Sequence, residues 1–163
     1  MQEGNATTGT DSGDHSAVRE QIGRDPRGTW SVSKRCGCGL PQVIETEPLL
    51  DDGTPFPTMW WLTCRQLVKA VSKLESEGWM ARMNGLLAQD EALRDDMDAA
   101  LASYNRSRDD IKVIESPNHP GGWPGKVKCL HAHVAHQLMT GDNPVGEAAL
   151  RELGWSDPQE RCV

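Results

Sequence analysis

Residues 59–78, MWWLTCRQLVKAVSKLESEG, hold the point where the chain changes from extended pieces to helical spacing, and that change sets the fold class. In MWWLT, Trp60 and Trp61 are successive, so they point to opposite sides of a strand, one inward and one outward. Beyond it, Leu67, Val71 and Leu74, with Val68, recur at three- and four-residue intervals and make one apolar stripe. Thr63 with Gln66 three residues later fits a capping box, and Gly78 can supply a left-handed stop. The spacing predicts a helix over 63–78 with Cys64 in its first turn. Unpaired amides and the positive end of the helix dipole stabilise a thiolate there, the form that binds metals and attacks electrophiles.

Upstream, from Trp30 to Cys64, the chain reads as short extended pieces, QVIE and MWWLT. They are separated by DDGTPFPT, whose Gly and prolines demand a turn, so a small hairpin is expected. The CGCG at 36–39 is similar to the knuckle turns of zinc ribbons, where glycines let the backbone curl and successive amides point at cysteine sulfurs. Those turns usually place two residues between their cysteines; here only Gly37 separates Cys36 from Cys38. AVREQIG predicts a short helix ended by Gly23, followed by the loop RDPRGTW. Residues 1–15, polar and rich in Gly, Thr and Asp, are expected to form a disordered tail that includes His15.

Downstream, WMARMNGLLAQD predicts a second helix interrupted by Gly85. A third follows, capped by Asp90, with Leu93, Met97, Ala100, Leu101 and Tyr104 on one face. After the loop SPNHPGGWPG comes a helix with Pro124 in its first turn and Gly141 at its end, and NPVGEAALRELG adds a last short one. The expectation is a single domain over 16–155 with 156–163 as a C-terminal tail. It is mainly α, with a small β-hairpin or irregular Cys-bearing segment laid against four or five helices, an α+β fold.

The formal net charge of -7 argues against a nucleic-acid or anionic-membrane surface, since phosphates are repelled unless basic residues segregate into a patch. The candidate patches, Arg19 to Arg35 and Lys126 with Lys128, are small. The first residues lack the basic and apolar regions of a secretory signal, and no apolar run approaches the ~18 residues of a membrane span. A cytoplasmic location is expected, where thiols stay reduced. The five cysteines then read as ligands, reactive groups or core residues before disulfides.

KCLHAHVAH, 128–136, holds one cysteine and three of the five histidines. At ~100° per residue from Cys129, His133 lies near about 40° and His136 near about -20°, so the three make one polar stripe. His131 falls among Leu130, Val134 and Leu138 on the opposite side, where a core histidine donating one hydrogen bond is an equal reading. With Cys36 and Cys38 on a turn, Cys64 at a helix start and Cys129 on a His-bearing helix, a site closing three segments is expected. Zinc suits it, being tetrahedral with Cys and His ligands; an iron–sulfur cluster on Cys36, Cys38, Cys64 and Cys129, a redox dithiol at CGC and plain buried thiols are the alternatives. Cys162 is read as free and uninvolved. GGWPGK invites a phosphate-loop reading, but Pro120 and Val127 stand where Gly and Ser or Thr belong, so a tight turn packing Trp123 is preferred.

RCGCGLPQVIETEPLLDDGTPFPTMWWLTC, VKAVSKLESEGWM and GGWPGKVKCLHAHVAHQLMTGDNPVG resemble, in order and spacing, the bacterial family catalogued as domain of unknown function 501, common in actinobacteria. The resemblance runs from about Gly23 to Leu153 and matches at Cys36, Cys38, Cys64, Cys129, His131 and His136. Arg65 departs from it, standing where the family has Pro. The resemblance implies no established activity. Neighbouring genes for a septum-formation initiator and an exopolyphosphatase-type enzyme imply at most an envelope or phosphate-metabolism setting. It also favours His131 over His133, and a helix that starts only after Cys129 would turn His131 toward the thiols. Three functions stay open: a zinc-stapled metal-binding protein, a metal-dependent or thiol-redox enzyme with a histidine as proton carrier, and a metal-free interaction module, linked to cell division or phosphate metabolism, with a protein partner.

Overall fold

The computed structural model describes residues 12–115, 120–160 and 162. Ser12–Ile22 (α1) precedes three strands, Trp30–Arg35 (β1), Pro41–Thr46 (β2) and Trp60–Leu62 (β3). Then come Arg65–Ser76 (α2), Trp79–Gln89 (α3), Glu91–Ile111 (α4), Leu130–Thr140 (α5) and Pro144–Leu153 (α6). The α+β expectation holds, with six helices and a three-stranded antiparallel sheet in the order β1-β2-β3 among the described residues.

The expected hairpin is present: β2 pairs β3 with Val43 opposite Leu62, Ile44 opposite Trp61 and Glu45 opposite Trp60. Trp60 is buried, while Trp61 lies on the other face and stacks on Phe56. Strand β1 is additional. Its register with β2 shifts between Val32 and Lys34 and again between Lys34 and Arg35, which breaks the alternation that marks a strand in sequence. The CGCG turn joins β1 to β2, at the end of the sheet that also receives the start of α2.

The α2 stripe of Leu67, Val71 and Leu74 is buried as expected. The capping box is not made. The Thr63 amide donates to the Gln42 carbonyl at 2.9 Å, which extends the β2/β3 ladder, so the helix begins at Arg65 and Cys64 is its N-cap. Asp90 caps α4 as predicted, accepting from the Leu93 amide at 3.0 Å, and Gly141 ends α5 in the left-handed region at φ 76°. Helix α5 packs against α2, α6 and β3. Fully buried Leu67, Val71, Leu130, Val134 and Val145 form the interior between them, each worth ~1.5–3 kcal/mol of burial.

The described structure reaches into both segments expected as tails, 1–15 and 156–163. Helix α1 reaches back to Ser12, because buried Asp14 pairs with Arg35 at 2.9 Å and the His15 ring packs edge-on against Trp30. At the other end, Asp157 accepts from the side chains of Gln42 at 2.9 Å and Trp155 at 3.0 Å, which lays that segment over the sheet end. The tail expectation for 1–11 lies outside the described residues. Among the described residues, no helix is long and apolar enough to cross a membrane.

Candidate metal and thiol sites

The CGCG turn curls as its glycines allow. Gly39 adopts φ 90°, its amide donates to the Cys36 carbonyl at 2.9 Å, and the Cys36 amide donates to the Leu40 carbonyl at 2.9 Å. The Cys38 amide is then directed at the Cys36 sulfur and the Leu40 amide at the Cys38 sulfur, the arrangement expected of a knuckle. Gly37 has a further role. A Cβ there would sit 2.7 Å from the Pro158 carbonyl oxygen, so only glycine admits the segment fastened by Asp157. That segment brings Cys162 Sγ to 3.8 Å from Cys36 Sγ, and the sulfurs of Cys36, Cys38 and Cys162 lie within 4.8 Å of one another. Burial pushes the Cys36 and Cys162 thiols up. Burial also acts on Cys38, but hydrogen bonds from Cys162 and the Leu40 amide outweigh it and hold that thiol at about 7. Cys64, almost wholly buried, stands close enough for its charge to raise the thiols of both Cys36 and Cys162. The structure thus sets Cys162, read from the sequence as free and uninvolved, beside the two knuckle thiols.

Cys129 belongs to a second group, with His131 and Glu75. Helix α5 does not begin at Pro124. The Val127 amide and carbonyl are both held by the Asn84 side chain, at 2.9 and 3.1 Å, and Lys128 donates to the Gly121 carbonyl at 2.7 Å. The backbone stays extended through Cys129, which becomes the N-cap. This start changes the phase and turns His131 toward Cys129, with Nδ1 3.9 Å from Cys129 Sγ and 3.2 Å from Glu75 Oε1. The same Glu75 oxygen accepts from the Leu130 amide at 2.9 Å. On the far side of the ring, Nε2 lies 3.3 Å from the Val68 carbonyl oxygen and 3.1 Å from Ser72 Oγ. The Cys129 hydrogen bond raises the His131 pKa against the opposing effect of burial. Burial pushes the Cys129 thiol up, but His131 and the Ala132 amide outweigh it and bring it down. Cys129 and His131 line a cavity of about 220 Å³ with Trp60, Trp61, Leu62 and Val68.

His133 and His136 go elsewhere, against the polar-stripe expectation. Both are buried, on the side of α5 that faces α4 and the turn at 120–123. Asn143 bridges them, its Nδ2 3.0 Å from His133 Nδ1 and 3.1 Å from His136 Nδ1. Its Oδ1 accepts from the Gly146 amide at 2.9 Å, which fixes the amide orientation and makes both Nδ1 atoms acceptors. His133 Nε2 then donates to the Gly121 carbonyl at 3.3 Å. His136 Nε2 lies 3.0 Å from Asp142 Oδ1, off the line of a hydrogen bond, and its ring packs against Trp60 and Tyr104.

Burial pulls the His133 pKa from 6.5 down to about 4. The unfolded chain therefore binds a proton in this window that the folded protein refuses, so stability falls as pH drops from the unfolded value through the folded one. The expected loss from His133 is about 3 kcal/mol across the window. Urea midpoints measured at falling pH check it, and His133→Gln, which keeps an acceptor toward Asn143, should flatten the slope.

Among the described residues, no group joins Cys129 to Cys36 and Cys38. The seven candidate residues divide instead into a thiol cluster (Cys36, Cys38, with Cys64 near), a mixed-donor group (Cys129, His131) and a buried histidine pair (His133, His136). Residues 32–151 match the family model described as Protein of unknown function (DUF501). The chain belongs to the DUF501 family. No curated protein and no solved structure matches it. In this DUF501 chain, Cys36, Cys38, Cys64, Glu75, Cys129 and His131 fall inside the matched residues, and Cys162 lies beyond them. Glu75 and Cys162 escape a reading of the sequence. Glu75 has a signal in retrospect, since Val68, Ser72 and Glu75 share a helix face at i, i+4 and i+7. Cys162 has none locally; its only pointer is that a two-thiol knuckle needs partners from elsewhere.

Proposed function

We propose that this protein binds zinc through a closed thiolate site made by Cys36, Cys38 and Cys162, with Cys64 as the fourth ligand. The ion staples the knuckle turn, the start of α2 and the segment around Cys162. The 3.8 Å separation of Cys36 and Cys162 sulfurs carries this reading. A tetrahedral zinc with Zn–S near 2.3 Å sets its sulfurs about 3.8 Å apart, whereas a disulfide needs about 2.05 Å. The donor chemistry agrees: sulfur ligands, with amides aimed at them from Cys38, Leu40 and Cys162 to offset the thiolate charge, and Cys36, Cys64 and Cys162 buried while Cys38 is half-buried. Four protein ligands leave no position for a substrate, so the role is structural, with metal binding linked to folding.

Elemental analysis and an absorption spectrum of protein purified without oxygen test the reading. Zinc without visible absorption is expected, and Cys38→Ser and Cys162→Ser should each release zinc that wild type holds. Iron–sulfur absorption, a Cys36–Cys162 disulfide in the mass spectrum, or folded variants with unchanged zinc would each overturn it.

A further inference from the structure

The geometry points to a second, open metal site formed by Glu75, Cys129 and His131, whose free coordination position faces the cavity beside Trp60 and takes a small exogenous donor. This goes beyond the stapling role, because the site shares no ligand with the thiol cluster. Its argument starts from the His131 ring. The Val68 carbonyl can only accept, so Nε2, 3.3 Å away, carries a proton. In the neutral ring Nδ1 then presents a lone pair. It faces the Glu75 oxygen at 3.2 Å and the Cys129 sulfur at 3.9 Å, and the three electron-rich atoms lie within 4.8 Å of one another.

Such a triangle suits a cation. Without one, a proton on Nδ1 or on the Cys129 sulfur joins these atoms only two at a time, while the Leu130 amide already serves the Glu75 oxygen. A metal ion engages all three at once. Tetrahedral zinc sets a nitrogen and an oxygen ligand about 3.4 Å apart and a nitrogen and a sulfur ligand about 3.6 Å apart, near the separations found. The surroundings also match a ligand set. Val68 and Ser72 orient the ring from behind, and the Leu130 amide fixes the Glu75 oxygen, as outer partners do around ligating His and carboxylate groups.

Three protein ligands leave zinc one position, the arrangement of ions that bind a reactant rather than only hold a fold. Cys129 and His131 line the cavity of about 220 Å³ and Glu75 does not, so Glu75 closes the back of the site and the open side is the cavity. Trp60, Trp61, Leu62 and Val68 make its wall apolar. The ligand class is therefore a small oxygen, nitrogen or sulfur donor carried on a flat or aliphatic body.

Cobalt(II) replacing zinc in the full-length chain supplies the test, because its visible spectrum reports coordination. Azide is the probe: it should shift the spectrum of wild type, since a closed four-thiolate site offers it no position and only the three-ligand site can take it up. His131→Ala and Glu75→Gln should bind one cobalt fewer and lose the azide shift. An azide-insensitive spectrum, or unchanged cobalt stoichiometry in folded His131→Ala and Glu75→Gln, overturns the inference while leaving the thiol-cluster reading intact. Failure of that reading shows instead in Cys38→Ser and Cys162→Ser. A measurement needing no variant is alkylation of Cys129 by iodoacetamide, followed by peptide mapping. Zinc in excess should slow it about tenfold or more, and an unchanged rate also overturns the inference.

Discussion

Asn143→Ala should destabilise the protein by about 4 kcal/mol, a large part of the ~5–15 kcal/mol typical of a whole domain. The residue is almost wholly buried and uses every polar atom of its side chain. Its oxygen caps α6 through the Gly146 amide at 2.9 Å, worth ~1 kcal/mol. Its two amide hydrogens serve the acceptor nitrogens of His133 and His136, at 3.0 and 3.1 Å. Alanine removes the cap and orphans two buried acceptors, each costing ~1–3 kcal/mol. Asn143→Asp separates these contributions. It keeps the cap but donates nothing and sets a negative charge against two lone pairs, so it too should be unstable near neutral pH. It should recover as pH falls and the imidazoles take up protons, a slope opposite to that of wild type. Urea denaturation at several pH values checks both variants, and an alanine loss near the cap value alone would show that the histidine bridge contributes nothing.

Gly146→Ala should cost a similar amount, about 4 kcal/mol, above the ~1–3 kcal/mol of ordinary overpacking. A Cβ at Gly146 would meet the His133 carbonyl oxygen at 2.2 Å and Gln137 Cβ at 2.6 Å. The first obstacle is backbone in α5 and has no rotamer to escape into, so α5 and α6 must move apart. That movement also pulls the Asn143 turn away from the two histidines. The expected signature is a lowered melting temperature together with faster hydrogen exchange at the α6 amides. A variant as stable as wild type would mean that the helices cross less closely than the glycine implies.

What the sequence discloses follows from how local each determinant is. The α2 stripe, the Asp90 cap and the Gly141 stop depend on residues a few positions apart, and each was legible. The start of α5 was not, because Asn84 of α3 holds Val127 across 43 residues. The consequence is large, since a helix counted from Pro124 puts His133 and His136 beside Cys129, and a helix counted from Leu130 delivers His131. The resemblance to the family pointed to His131 where angular reasoning did not. Thr63 failed as a cap for a similar reason: its amide was already committed to Gln42, a partner no helical pattern displays. The knuckle was legible in CGCG itself, while the identity of its distant partner was not. Cys129 looked like a fourth thiol for that turn, and Cys162 is the one brought there.

The pairing of Cys36 with Cys162 spans 126 positions of the chain, which gives the molecule an order of assembly in time. Translation runs from the amino end, so the turn, its sheet and the helix clasped by Asp14 emerge long before the strip that covers Gly37. Contacts of such wide sequence separation are also the slowest to close once a chain is free to search. A nascent polypeptide therefore carries Cys36 and Cys38 bare until residue 162 arrives, and an oxidant or a competing ion met in that interval reaches the two thiols first.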